Sequence, residues 1–165
     1  MGRIADIIEF ESRYATDFKQ LNLEWLKLHF RVEPIDEEVL SRPENILSSG
    51  GAIWLAQEGG AIVGCCALIG KGDCTYELSK MAVTVSAQGN GLGRRLLEAA
   101  VKGFSDKGGR LLFLETNTAL KAAIALYESS GFVHQQPPNK SPYERANVYM
   151  VYTGKGRLLT EMQDR

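Results

Sequence analysis

The chain has 165 residues, a length that suits one domain and allows a sizeable buried core. Hydrophobic residues make up 44%, charged residues 24%, and 19 Lys+Arg against 20 Asp+Glu leave a net charge of −1. That balance carries no electrostatic footprint for nucleic acid or a membrane surface, and no apolar run approaches the roughly 20 residues of a bilayer-spanning helix. Residues 1–6 lack the charged-then-apolar pattern of a secretory signal. The three cysteines, Cys65, Cys66 and Cys74, have no CxxC spacing and cannot build a disulfide framework. The expectation is a cytoplasmic protein with reduced thiols and no metal.

In chain order, residues 4–10 read as a first strand. A helical period follows over 16–30, where Leu21, Leu23, Trp25, Leu26, Leu28 and Phe30 make a broad apolar face. Pro34 ends that run, and 35–47 suit one or two short helical turns around Pro43. Residues 52–57 and 61–69 form a hairpin across Glu58, Gly59 and Gly60, and a second turn at 70–73 leads into a long strand over 75–85. The second half reads as helix 92–107, strand 111–115, helix 118–130, strand 132–135, a proline-rich loop and strand 147–152. Gly108, Gly109 and Gly131 fall where helix C-caps belong. Residues 1–153 are expected to form a single mixed α/β domain, and 154–165 a polar tail.

Between the long strand and the helix at 92 stand Gln88, Gly89, Asn90, Gly91, Leu92 and Gly93, followed by Arg94 and Arg95. Glycine weakens strands and helices alike, so three at one junction need a backbone reason. A helix N-terminus offers unpaired amides and the positive end of its dipole, and glycines let those amides converge on a phosphate. Arg94 or Arg95 can add charge-assisted bonds. Neither nucleotide fingerprint fits. A GxGxxG begun at Gly89 reaches Arg94, one begun at Gly91 reaches Leu96, and the GK[ST] of a P-loop is replaced by Gly93, Arg94, Arg95.

Gln-x-x-Gly-x-Gly after a strand and opening a helix resembles the acyl-CoA pyrophosphate loop of the GNAT superfamily of N-acetyltransferases. Further motifs stand in the family's order. Residues Glu77, Leu78, Ser79, Lys80, Met81, Ala82 and Val83 resemble its fourth strand. Asn117, Ala123, Leu126, Tyr127, Gly131 and Phe132 resemble its next strand end, helix and Tyr…Gly-Phe closure, and residues 143–150 its closing strand. The resemblance covers about residues 52–153. It implies a mixed, mostly antiparallel central sheet of six to seven strands flanked by helices, with a splayed fourth and fifth strand pair.

The activity it implies is transfer of an acetyl group from acetyl-CoA to an amine, by direct attack in a ternary complex and without a metal. Backbone groups of Met81, Ala82 and Val83 would pair with the pantetheine arm and polarise the thioester. Gln88, Gly89, Asn90, Gly91, Leu92, Gly93 and Arg94 would hold the pyrophosphate. Asn117 would either bond the cofactor or cap the helix that follows it. Tyr127 would protonate the departing thiolate, with packing on the sheet as the alternative. Glu77 matches the place where some members keep a carboxylate base, and alternation sets Glu77, Ser79 and Met81 on one face with Lys80 on the other. A solvated or lysine-paired Glu77, with water taking the proton, is the competing reading. Cys74 suggests a covalent route, but with only His29 and His134 in the chain no base partner is apparent.

The acceptor is expected opposite the cofactor. Phe30, Glu33, Glu144 and Arg145 are candidates there, with Asp36 a further carboxylate for an ammonium and Arg31 a further partner for a carboxylate. A small or amino-acid-like amine is favoured over a protein amine, and monomer and homodimer are both open. The alternative function is a non-catalytic acyl-CoA-binding sensor of the same fold.

Overall fold

Apolar alternation from residue 52 onward builds an antiparallel sheet in which β1 (Asp6–Glu9), β2 (Ala52–Glu58), β3 (Ala61–Gly72) and β4 (Thr75–Val83) pair in that order. The computed structural model describes residues 4–154, which fall into two units divided between Arg110 and Leu111. The tail expected from 154 lies, from residue 155 on, outside the described residues.

In the first unit α1 (Ala15–His29) lays Phe18, Leu21 and Leu26 onto one face of this sheet. Leu40 of α2 (Pro34–Ser41) and Ile46 of α3 (Pro43–Ser48) complete the layer over Ile53, Leu55, Cys65, Ala67 and Ala82. Pro34 and Pro43 open these two helices, because their fixed φ suits a first turn whose N–H groups need no helical partner. α4 (Leu92–Asp106) covers the opposite face, burying Leu92, Leu96, Leu97, Ala100 and Phe104. The contact is tight: a Cβ on Gly64 would stand 3.1 Å from Leu96 Cδ1, and one on Gly103 2.5 Å from the Trp54 ring.

The ends of β3 and β4 differ from the sequence-based expectation. β3 runs on through Gly72, so the reversal into β4 is made by Asp73 and Cys74, both left-handed at φ +53 and +58. β4 stops at Val83 rather than 85, and Val85–Ala87 is a short 3-10 turn.

β4 also carries a bulge. Ala67 pairs with Ser79 and Cys65 with Ala82, so one extra residue of β4 is accommodated, and Lys80 is left-handed at φ +54. Directly paired residues share a face, so the face of Ser79 continues at Ala82 and Met81 turns to the other side. This corrects the expected grouping of Glu77, Ser79 and Met81, which assumed unbroken alternation. A bulky non-glycine residue held there costs of order 1–3 kcal/mol and persists only when its surroundings enforce it.

The second unit contains β5 (Leu111–Thr116), α5 (Lys121–Ser129), β6 (Phe132–His134) and β7 (Val148–Tyr152). β7 pairs antiparallel with both β5 and β6. Leu112, Leu114, Phe132 and Met150 are buried, and the Phe132 ring meets Tyr127 and Tyr152 at centroid distances of 6.0 and 5.3 Å. α5 begins three residues later than the sequence predicts, because 117–120 form a separate turn.

Candidate functional site

The glycine junction is built as a cradle on the first unit. Gln88 Nε2 donates to the Val83 carbonyl at 3.0 Å and Asn90 Nδ2 to that of Ala87 at 3.5 Å, tying the loop to the strand end. Gly89 and Gly91 are left-handed, φ +85 and +77, and a Cβ on either would meet nothing within 4 Å. Backbone conformation rather than crowding by the chain therefore calls for glycine there. Gly91 is the N-cap of α4, no side chain caps that end, and the first turn has no acidic residue. The Arg95 amide bonds back to the Gly91 carbonyl at 3.1 Å; amides ahead of it in a helix have no helical carbonyl to reach. The result is a loop of glycine amides beside the positive end of a helix dipole. Leu92 contributes only backbone, since its side chain is buried in the core. Arg94 is exposed, whereas Arg95 donates to the Ala5 carbonyl at 2.7 Å.

Upstream, Ala82 and Val83 pair with Cys65 and Gly64. The Lys80 and Asp36 side chains are 6% and 0% exposed and meet at 3.5 Å. Asp36 Oδ2 also accepts from the Glu33 amide at 2.8 Å. Glu77 is buried and ion-paired with Lys71 at 3.3 Å, so it is lysine-paired and not solvated. Burial pushes the Cys65 thiol up to about 12 and raises Cys66 as well, so both keep their protons and neither is a nucleophile.

Glu33 is not a surface charge. It is buried, N-caps α2, and forms a reciprocal capping box in which its carboxylate accepts from the Asp36 amide and the Asp36 carboxylate accepts from the Glu33 amide. Phe30 closes α1, with its ring 5.8 Å from Trp25 and 6.5 Å from His29.

In the second unit Asn117 Nδ2 donates to the Arg145 carbonyl at 2.7 Å, and its Oδ1 accepts from the Ala119 amide at 2.8 Å. It therefore organises the turn ahead of α5, whose N-cap is Leu120. Arg145 lies over the Tyr143 ring at 4.6 Å, and Glu144 is exposed. Tyr127 is half-buried on α5 with its ring edge-on to Phe132. Sequence reasoning missed the Lys80–Asp36 pair, and it anticipated a lysine partner for Glu77 without identifying Lys71. The signal for the first is a lysine interrupting the mostly apolar run 78–83. Among the described residues no group of three His, Cys, Asp or Glu is placed to hold a metal, and no helix is long and apolar enough to cross a membrane.

A family model described as an acetyltransferase (GNAT) domain matches residues 49–134, just over half the chain. YjgM, an uncharacterized N-acetyltransferase of Escherichia coli K12, is 36% identical over 88 residues, 52% of this chain and 53% of that protein. The chain thus spans about half the length of that relative. A GNAT-family acetyltransferase from Staphylococcus aureus Mu50 superposes with a TM-score of 0.81 at 24% identity, over 90% of this chain and 98% of that one. A GNAT phosphinothricin acetyltransferase from Sinorhizobium meliloti, solved with AcCoA, superposes at 0.72 and 19% identity over 92% and 91%. These likenesses bear out the mixed α/β fold expected from the sequence. The family match runs from β2 through β6 and so includes the bulged strand, the glycine cradle and Tyr127: this chain belongs to the GNAT acetyltransferase family.

Proposed function

We propose that the protein transfers an acetyl group from acetyl-CoA to an amine acceptor by direct attack in a ternary complex. The observation that carries this reading is the cradle ahead of α4, with two left-handed glycines, an uncapped helix N-terminus and no acidic residue in its first turn. Such an arrangement suits a pyrophosphate. Gln88, Gly89, Asn90, Gly91, Leu92 and Gly93 present the loop and its amides there, and Arg94 adds charge. Acetyl-CoA supplies the activated thioester. The Met81 amide, beside the bulge, polarises its carbonyl, whereas the Ala82 amide is already engaged by the Cys65 sulfur; the backbone through Val83 pairs with the pantetheine arm.

Glu77 takes the proton that an arriving ammonium must lose, its carboxylate held by Lys71. Tyr127 gives a proton to the leaving thiolate. Asn117 keeps its place among the cofactor candidates through its position at the end of β5. For the acceptor, Glu144 suits an ammonium and Arg145 a carboxylate; Phe30 is kept as an apolar candidate on its own unit, and Glu33 already caps α2. A small or amino-acid-like amine fits this set best.

Calorimetry with acetyl-CoA and ATP, followed by a thiol-release screen over amino acids, polyamines and peptides, tests the reading. Acetyl-CoA binding with turnover of at least one amine supports it. Binding without turnover on any acceptor favours a sensor module, and no acetyl-CoA binding defeats both.

A further inference from the structure

Lys80 is out of place by every local rule. The left-handed region suits Gly, Asn and Asp, yet a lysine occupies it at φ +54. Its ammonium is withdrawn from water, with the side chain 6% exposed. Both ends of the residue are held. The ammonium meets Asp36, which is wholly buried and pinned in turn by the Glu33 amide at the start of α2. The carbonyl accepts from the Cys65 thiol at 3.2 Å, and Asn22 of α1 donates to that same sulfur at 3.3 Å. A buried ion pair adds little stability over a well-packed apolar pair, so stability alone does not account for it.

We infer that the Lys80–Asp36 ion pair clamps the β4 bulge in its left-handed conformation and so positions the Met81 amide; for its catalytic meaning the inference rests on the acetyl-transfer reading above. Lys80 is a positioning residue here. It touches no reacting atom, and it couples the first turn of α2 to the backbone proposed to polarise the thioester.

The test compares two double variants in which neither charge is left unpaired. K80M/D36N removes the clamp, while the asparagine still accepts from the Glu33 amide. K80G/D36N removes it too, but glycine takes the left-handed conformation unaided. In K80M/D36N the amide resonances of Met81 and Ala82 should move and kcat should fall at least about tenfold, since small misplacements of catalytic groups cost that much. The acetyl-CoA dissociation constant should rise by a smaller factor than kcat falls, because the thioester end of the contact is displaced while the cradle ahead of α4 is untouched. K80G/D36N should recover most of the lost kcat. Parent-like resonances and kcat in K80M/D36N overturn the inference, and so does an equal loss in K80G/D36N. Should K80M/D36N fail to fold, K80L/D36N is read by the same criteria. If the parent itself neither binds acetyl-CoA nor turns over, the acetyl-transfer reading fails, and the amide resonances alone still decide whether the pair holds the bulge.

Discussion

The glycines of the cradle make different demands, and substitutions separate them. Gly91 is left-handed at φ +77, so Gly91→Val strains the loop before any ligand arrives. Gly93 lies inside α4 and is not among the left-handed glycines, so Gly93→Val tests obstruction with less backbone strain. Acetyl-CoA affinity should fall at least about tenfold in Gly93→Val with a near-parental Tm, as expected if phosphate approaches these amides closely. Tyr127→Phe keeps the edge-on contact with Phe132 and loses only the hydroxyl. As the proton donor it should lower kcat by about 10²–10⁴ with Tm unchanged, and near-parental turnover removes the role. Glu77→Gln should flatten the acid limb of kcat/KM measured over pH. Two acceptors with different amine pKa values give the control: a limb that follows the acceptor and survives in Glu77→Gln makes this carboxylate a bystander.

The elements divide by how local their causes are. The α1 period, the β2–β3 hairpin and the glycine junction before α4 are legible in sequence because each is specified by neighbouring residues. The start of α5 is not, because it depends on Asn117 bonding the Arg145 carbonyl and on Asn147 accepting from the Thr118 amide, both distant in the chain. The bulge in β4 is likewise invisible to an alternation rule, which placed Met81 beside Ser79. The buried partner of Lys80, the left-handed residue within it, is Asp36, on a helix 44 residues upstream. Glu33 is an acceptor-site candidate in sequence, yet it caps α2. Glu33→Ala should destabilise the protein by about 1 kcal/mol, the usual cost of losing an N-cap. Glu33→Gln retains a carbonyl acceptor, so its Tm should stay near the parent's. A rise in acceptor KM in Glu33→Gln without a Tm change would show that the carboxylate also meets the ammonium.

Across the whole molecule, the thiols give a stability signature that can be read without knowing the acceptor. Cys65 and Cys66 are buried and Cys74 is exposed, so a chromogenic disulfide reagent should titrate one fast thiol in the native state and three after unfolding. With Cys65 raised from 9.0 to about 12, the folded chain keeps a proton that the unfolded chain releases. That contribution is fully present below pH 9.0 and is lost as pH climbs toward about 12. The decline is about 1.4 kcal/mol per pH unit for each such thiol. Replacing Cys65 and Cys66 by alanine should flatten this alkaline decline even though the packing loss lowers Tm at neutral pH; an unchanged slope contradicts it. The central claim is that this GNAT chain holds acetyl-CoA on the amides ahead of α4. Calorimetric titration of acetyl-CoA into the parent and Gly93→Val tests it most directly. The account predicts saturable one-site binding to the parent, weakened at least about tenfold in the variant. No binding to the parent, or equal binding to both proteins, contradicts it.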